Sequence, residues 1–429
     1  MYTFEPPDLE KRLTEAIHVY RKILGEEPDS LFDDTVQPSE SDPEGNSFLL
    51  NPQSLLSLYL PHCETFERSC EQFLDLVDEL EGANIEQNLE CWTKTRLLLR
   101  IAPAIEHEQQ FFEDIIGVGV WRPKIDADKL FPIEVSVEGC AFRCLITGGL
   151  TPFGVLIAAG DDYHKFYPPV PDDELFVEVS FEGFANKELI RNLAYAYLFE
   201  ISTGLKVDLL PHPWPPIFAE SDRPADITPT EKIRFRPLMI GKGITQIIYL
   251  YQKAVISSDP ETQLLQFYKV FEHVSQTVVH LHLIQGTRGK LLSTSALNPD
   301  ATFILELQAL FEQHRNVTRD REAIKLTFKT CCEVTELSRV APSFLKEKMP
   351  QLSDLTNVPK LKDRQDLLEK IGECIVATRN ALAHSKAAYD STGAECPSEE
   401  LVEFIECAKV AAQQVIRWYD SQPQDLRIV

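Results

Sequence analysis

Six prolines fall between Pro211 and Pro229, and they limit the fold more than any other feature of the chain. Proline has no backbone N–H and its ring fixes one dihedral, so neither a helix nor a central strand can run through such a stretch. The fold must be built on either side of it. At 429 residues the chain is too long for one ordinary core, and its length favours two or three domains. A second change of character follows Trp121-Arg122-Pro123. The expected division is therefore a helical N-terminal region over 1–125, an α+β domain with the Pro-rich linker at its end over 126–236, and a helical domain over 237–429.

Hydrophobic periodicity supplies the elements. Leu9, Leu13, Ile17, Tyr20 and Leu24 recur at helical spacing and Gly25 follows as a cap. Glu26 to Asn51 is acidic and rich in Pro, Ser and Gly, which reads as a loop. Helical patterns resume at about Glu64 to Leu80 and Ile85 to Ile105, so the opening third is expected to be all-helical. In the middle, Ile133, Val135 and Val137 alternate with polar residues, and Val177 and Val179 do so around Glu178, as in strands of a half-buried sheet. Ile190, Leu193, Tyr197 and Ile201 mark a helix ending before Gly204, and Leu205 to Leu210 is expected to return to the sheet. Beyond Pro237, Asp259-Pro260-Glu261 opens a helix in the order of N-cap, first-turn proline and acid at the positive end of the dipole. That helix is apolar on nearly every side through Leu264, Phe267, Phe271, Val274 and Val278, as suits the inside of a bundle or a subunit contact. Further helices are expected after Asn298-Pro299-Asp300, over Thr318 to Lys329, over Asp363 to Thr378 and from the cap Ser398 onward. The fold class is α+β, mostly helical: a helical and small-sheet N-terminal region, then an all-α bundle.

Charge is divided unevenly. From Pro237 to Val429 there are 22 Lys plus Arg against 24 Asp plus Glu, a net of −2, so the rest of the chain carries −23 of the total −25. An acidic first half repels polyanions and suits a regulatory or activating partner; the second half is free to meet RNA. No apolar run approaches the roughly 18 residues that span a bilayer, and the start lacks the basic and apolar regions of a signal peptide. No membrane is expected as a partner, and a cytoplasmic location is. The ten cysteines include no Cys-X-X-Cys pair and no neighbouring His array, so reduced thiols are expected and a zinc site is not.

The chemistry-bearing residues lie near the C-terminus, in Thr378-Arg379-Asn380-Ala381-Leu382-Ala383-His384-Ser385. The Arg379 guanidinium keeps its charge and the His384 imidazole titrates near neutrality, so together they can hold a phosphate and move a proton beside it. An Arg followed at short distance by a His is a weak signal, since Arg12 to His18 and Arg100 to His107 also satisfy it. The Asn at 380 and the position at the end of an amphipathic helix set Arg379 apart. The residues alone equally admit Arg379 capping the negative end of its helix, Asn380 as a turn residue and His384 in an ordinary hydrogen bond. Glu272, in the most apolar helix, should want a partner if buried, and Arg379 is the candidate, although a Glu at a surface edge fits as well. Arg315, Arg319, Arg321, Lys325 and Lys329 form a basic stretch that reads either as a track for an RNA backbone or as a solvated helix face.

This part of the chain resembles the HEPN superfamily of helical ribonuclease and nucleotide-binding domains, whose mark is Arg, a polar residue often Asn, a few more residues and His. The match rests on Arg379-Asn380-Ala381-Leu382-Ala383-His384. Gln266-Phe267-Tyr268-Lys269-Val270-Phe271-Glu272 adds a likeness to the first long helix of such domains, and the resemblance covers roughly Leu238 to Gln422. It implies a metal-independent endoribonuclease, commonly a toxin or antiphage defence effector, acting on RNA as a homodimer whose two motifs meet in one cleft. Arg379, Asn380 and His384 would be catalytic, with no cofactor and no metal; the alternative is a non-catalytic HEPN-like helical binding or scaffolding module. Helix geometry gives a separate reason to expect pairing. Residues five apart point about 140° away from each other, so Arg379 and His384 of one copy do not easily grip one phosphate.

Overall fold

The computed structural model describes residues 2–26, 30–39, 48–61, 63, 65–86, 90–104, 107–116, 130–160, 170, 174–183, 186–211, 235–317, 320–357, 360–383 and 392–429. Two compact units make up the chain, Met1–Leu238 and Met239–Val429. The fold is α+β and mostly helical, with its sheets in the first unit and an all-helical second unit. Most of the proline-dense stretch, and the expected boundary at 125/126, lie outside the described residues.

The first unit begins with β1 (Tyr2–Phe4) and α1 (Leu9–Leu24), which Gly25 ends in the left-handed region at φ 78° as its sequence predicts. The segment read as a loop contains β2 (Val36–Pro38) and β3 (Phe48–Leu50), followed by β4 (Leu55–Leu58) and β5 (Phe66–Ser69). β1 pairs with β3, and β2, β4 and β5 form a three-stranded antiparallel sheet. Within the Glu64 to Leu80 pattern only α2 (Cys70–Leu80) is helical; it opens on a reciprocal capping box between Ser69 and Gln72. The second expected helix, Ile85 to Ile105, is not a helix at all. It holds β6 (Asn84–Glu86), β7 (Glu90–Trp92) and β8 (Arg96–Pro103), which join β9 (Leu130–Val137) and β10 (Cys140–Gly148) in one sheet. After α3 (Pro152–Ala159), β11 (Leu175–Phe181) inserts between β8 and β10; beyond α4 (Lys187–Leu205), β12 (Leu209–Pro211) pairs with the end of β8. The opening third is therefore mixed, and β8 and β11 belong to one seven-stranded sheet although they lie on opposite sides of residue 125.

Register fixes the two faces of that sheet. Leu97, Leu99 and Ile101 lie across from Val179, Val177 and Leu175, with Cys144 and Ile146 beyond. This apolar face meets α4, whose Tyr197 hydroxyl donates to the Phe131 carbonyl at 2.9 Å. The opposite face carries Arg96, Leu98 and Arg100 beside Ser180, Glu178 and Phe176. Leu98 and Phe176 pack against Phe153 and Ile157 of α3, and Arg96 pairs with Glu178 and with Glu79 of α2.

The second unit is helical: α5 (Ile244–Ile256), α6 (Pro260–Leu291), α7 (Ala301–Val317), α8 (Asp320–Cys331), two short helices α9 (Val334–Arg339) and α10 (Ser343–Lys348), then α11 (Leu361–Ala383) and α12 (Leu401–Asp420). α6 starts where its cap predicts, with the Asp259 carboxylate accepting from the Thr262 N–H at 2.9 Å. It is the axis of the bundle, against which α5, α8, α11 and α12 all pack. Phe267, Phe271, Val274 and Val278 are buried along it, each such side chain contributing about 1.5–3 kcal/mol. The Phe271 ring meets Phe328 of α8 edge-on at 5.0 Å. Gly372 lets α11 close onto α8, because a Cβ there would sit 3.3 Å from the Lys325 Cα. The C-terminal residues are tied down: Lys242 donates to the Arg427 carbonyl at 2.7 Å, and the Ile428 N–H to the Thr277 hydroxyl at 2.9 Å. α11 packs against α8 and α6, and its last turn carries the Arg-Asn motif.

Candidate functional site

α6 and α11 together build the surroundings of Arg379. Tyr268 and Glu272 are four residues apart on α6 and so share one face. Arg379, in the last turn of α11, reaches both: its guanidinium carbon lies 4.7 Å from the Tyr268 ring centroid, and Nη2 is 3.6 Å from a Glu272 carboxylate oxygen. The first contact is a cation stacked on an aromatic face; the second is an ion pair longer than a hydrogen bond. Nη1 donates to the side-chain oxygen of Asn380 at 3.0 Å. Both readings of Glu272 hold in part: its side chain is 38% exposed at the helix edge, and it faces Arg379 at ion-pair distance. Asn380 lies within the helix rather than in a turn, its side-chain oxygen accepting from Arg379. His384 lies outside the described residues.

Burial sets the electrostatics of the cluster. Tyr268 is 2% exposed, and burial pushes its hydroxyl up to about 12, with Glu272 and Asp320 adding to the rise and Arg379 opposing it. Glu272 is likewise raised, first by burial and then by Asp320 at the start of α8, against the attraction of Arg379 and Lys269. Arg379 itself keeps 30% of its side chain in solvent. Of the five donors of a guanidinium, one makes a hydrogen bond among the described residues. The fork is braced from beneath and remains accessible from outside.

Raising the Glu272 carboxyl has a consequence for stability with a definite sign. A group whose folded value lies above its unfolded value stabilises the protein fully below the unfolded value, and this contribution is lost as pH rises through the folded one. For Glu272 the contribution is complete below its ordinary 4.5 and fades above it. A Glu272→Gln protein should lack this dependence, so wild type gains on the variant as pH falls from 7 toward about 4. Because the site is partly solvated, the difference at neutral pH should stay within about 1 kcal/mol. Denaturant unfolding of both proteins across that range checks it; parallel curves would mean that Glu272 titrates as in water.

The sequence did not single out Thr378 or Tyr268. Thr378, 2% exposed, donates to the Cys374 carbonyl at 2.8 Å and accepts from the Cys396 N–H at 2.9 Å. It pins the chain that returns toward α12 onto the helix that carries Arg379. Tyr268 entered only as part of the Gln266–Glu272 likeness, with no role of its own, and its local signal is its place one helical turn before Glu272.

Other candidates are resolved by their partners. Arg321 pairs with Glu373, Lys325 with Glu322 and Glu369, and Lys329 with Glu369. These cations make an ion-pair ladder between α8 and α11, which fits the solvated-face reading better than an RNA track. Arg319 is outside the described residues. Among the described residues no three His, Cys, Asp or Glu side chains are grouped as a metal site, and no helix is long and apolar enough to cross a membrane. All ten cysteines are outside any disulfide, and burial raises the thiols of Cys374 to about 11 and Cys407 to about 12. In comparison with known proteins, no family model, no curated protein and no solved structure matches the chain.

Proposed function

We propose that the chain is a metal-independent endoribonuclease of HEPN type, a toxin or antiphage defence effector that works as a dimer with a composite active site. The observation that carries this is the setting of Arg379: a permanently charged fork, stacked on Tyr268, tethered by Glu272 and Asn380, partly open to solvent and five residues before a histidine. In the proposed reaction His384 takes the proton of a ribose 2′-hydroxyl as that oxygen attacks the adjacent phosphorus, and an acid, the second copy's imidazole or water, protonates the departing 5′-oxygen. Arg379 bears the charge that builds on the phosphoryl oxygens through its forked donors. Asn380, whose side-chain oxygen accepts from the guanidinium, would orient the imidazole or bond a phosphate oxygen through its amide N–H groups. The products carry a 2′,3′-cyclic phosphate and a 5′-hydroxyl.

The acidic first half, over 1–236, is proposed as the part that senses a trigger or keeps the nuclease silent, since its charge disfavours RNA. The proposed setting is the cytoplasm, where ten thiols outside disulfides would stay reduced. A second reading, a non-catalytic helical binding or scaffolding module, is favoured by the Glu272 pair itself, because an arginine already matched by a carboxylate also serves to lock two helices together.

Incubation of the full chain with total RNA in EDTA separates the two. Wild type should release fragments with cyclic-phosphate ends, slowly while the first half restrains it, and His384→Ala should lose about 10²–10⁴-fold from that level, the usual contribution of a proton-transfer group. Cleavage by His384→Ala at the wild-type rate would rule out the nuclease mechanism.

A further inference from the structure

Two cysteines of the second unit are brought together by one threonine. Thr378 Oγ1 accepts from the Cys396 N–H at 2.9 Å and donates to the Cys374 carbonyl at 2.8 Å. Bond lengths along that path keep the two α-carbons within about 10 Å of each other, and a disulfide needs roughly 4.4–6.8 Å. Cys374 belongs to α11 and is 5% exposed. Cys396 is partly exposed and lies in 392–397, which is neither helix nor strand. One partner is therefore held in a packed helix, and the other can close the remaining gap. Lys348 of α10 braces the same stretch, donating to the Gly393 carbonyl at 2.6 Å, and its charge acts on both thiols. Cys407, whose thiol also senses Cys374, is fully buried within α12 and has no such freedom.

We infer that Cys374 and Cys396 are a reversible modification site, closed into an intrachain disulfide by exchange with a small disulfide. The Cys396 thiol, the one that solvent reaches, loses its proton and attacks one sulfur of the small disulfide. One small thiol leaves, and a mixed disulfide stands on Cys396. Cys374 then loses its proton and attacks the Cys396 sulfur, and the second small thiol leaves. The two protein thiols give up two electrons and two protons, which the small disulfide takes to become two thiols. Burial pushes the Cys374 thiol up to about 11 and that of Cys396 to about 12. Both are protonated at neutral pH, so the exchange is slow. The pair thus ignores a brief oxidant pulse and follows a lasting change in thiol–disulfide balance. His384 lies between the two cysteines in the sequence, so the bond closes a covalent loop around it; the site itself does not depend on the proposed ribonuclease.

Overnight equilibration of the full chain with mixtures of oxidised and reduced glutathione tests it without reference to activity. Each sample is quenched in acid, unfolded and labelled with N-ethylmaleimide, and its mass is measured. In the oxidising mixtures wild type should take two fewer labels than in the reducing ones, and digestion should give a cross-linked peptide pair holding Cys374 and Cys396. Dithiothreitol should restore both labels. Cys407→Ala should behave as wild type, whereas Cys396→Ser should keep all its labels in every mixture. In guanidinium chloride the preference for this pair should disappear, because the fold creates it. Wild type that keeps ten labels throughout, glutathione left on Cys396 without a cross-link, a bond from Cys374 to Cys407 or one between two chains overturns the inference. Absence of RNA cleavage would count against the nuclease and leave the mass result standing.

Discussion

Arg379→Lys should lose about 10²–10³-fold in RNA cleavage, the size of effect seen when a fixed donor to a developing charge is removed, while unfolding at nearly the same denaturant concentration as wild type. Lysine keeps the positive charge and can reach Glu272, so the link between α6 and α11 survives. What it lacks is the planar fork and the flat face that lies on Tyr268 at 4.7 Å. It also has no geometry that lets Asn380 fix its orientation as it fixes the arginine at 3.0 Å. The comparison with Arg379→Ala is informative, because alanine strips Glu272 of its ion-pair partner as well and should cost stability in addition to activity. A lysine variant that cleaves RNA at the wild-type rate would reduce Arg379 to a point charge, and the stacking on Tyr268 would be a packing detail.

The pairing that makes this prediction possible was legible in the sequence for a physical reason. Glu272 stands among the apolar Val270, Phe271 and Val274, where a carboxylate is conspicuous even at the half-buried edge it occupies, and Arg379 ends the amphipathic helix most able to pair with it. Tyr268 was hidden, because an aromatic residue in a buried helix reads as core, and here it is both core and platform. The basic residues of α8 were ambiguous for a related reason. Their partners, Glu369 and Glu373, lie more than forty residues away, and local spacing carries no information about them.

The strands show the same division. β9 is an edge strand with exposed residues at every second position, so Ile133, Val135 and Val137 announce it by alternation. β8 lies inside the sheet, flanked by β7, β11 and β12 and covered on both faces. Leu97, Leu98, Leu99 and Ile101 are all buried, and a run without alternation looks like a buried helix as readily as a central strand. The helical expectation for Ile85 to Ile105 failed there because burial on two sides erases the period that identifies a strand.

The same double burial makes Arg100→Ala the most destabilising single change expected in the first unit. Arg100 on β8 and Glu174 just before β11 are 4% and 1% exposed and form an ion pair, with the guanidinium carbon 4.9 Å from the Phe153 ring centroid. Alanine leaves the Glu174 carboxylate in the interior without that partner, a change that costs about 3–5 kcal/mol where a buried pair is broken from one side. Part of the loss should return in acid, since a stranded carboxylate takes a proton and its raised value then stabilises the fold below the ordinary carboxylate range. Arg100→Met/Glu174→Leu removes both charges and keeps the volume, and should recover most of the stability. Hydrogen exchange along Leu97–Ile101, read beside exchange along α6, measures the effect in the first unit with the second as internal control. If Met1–Leu238 is what restrains the nuclease, Arg100→Ala should also raise cleavage of RNA, whereas the double variant should not. Protection of β8 within about 1 kcal/mol of wild type would show instead that water reaches the pair and that the sheet does not depend on it.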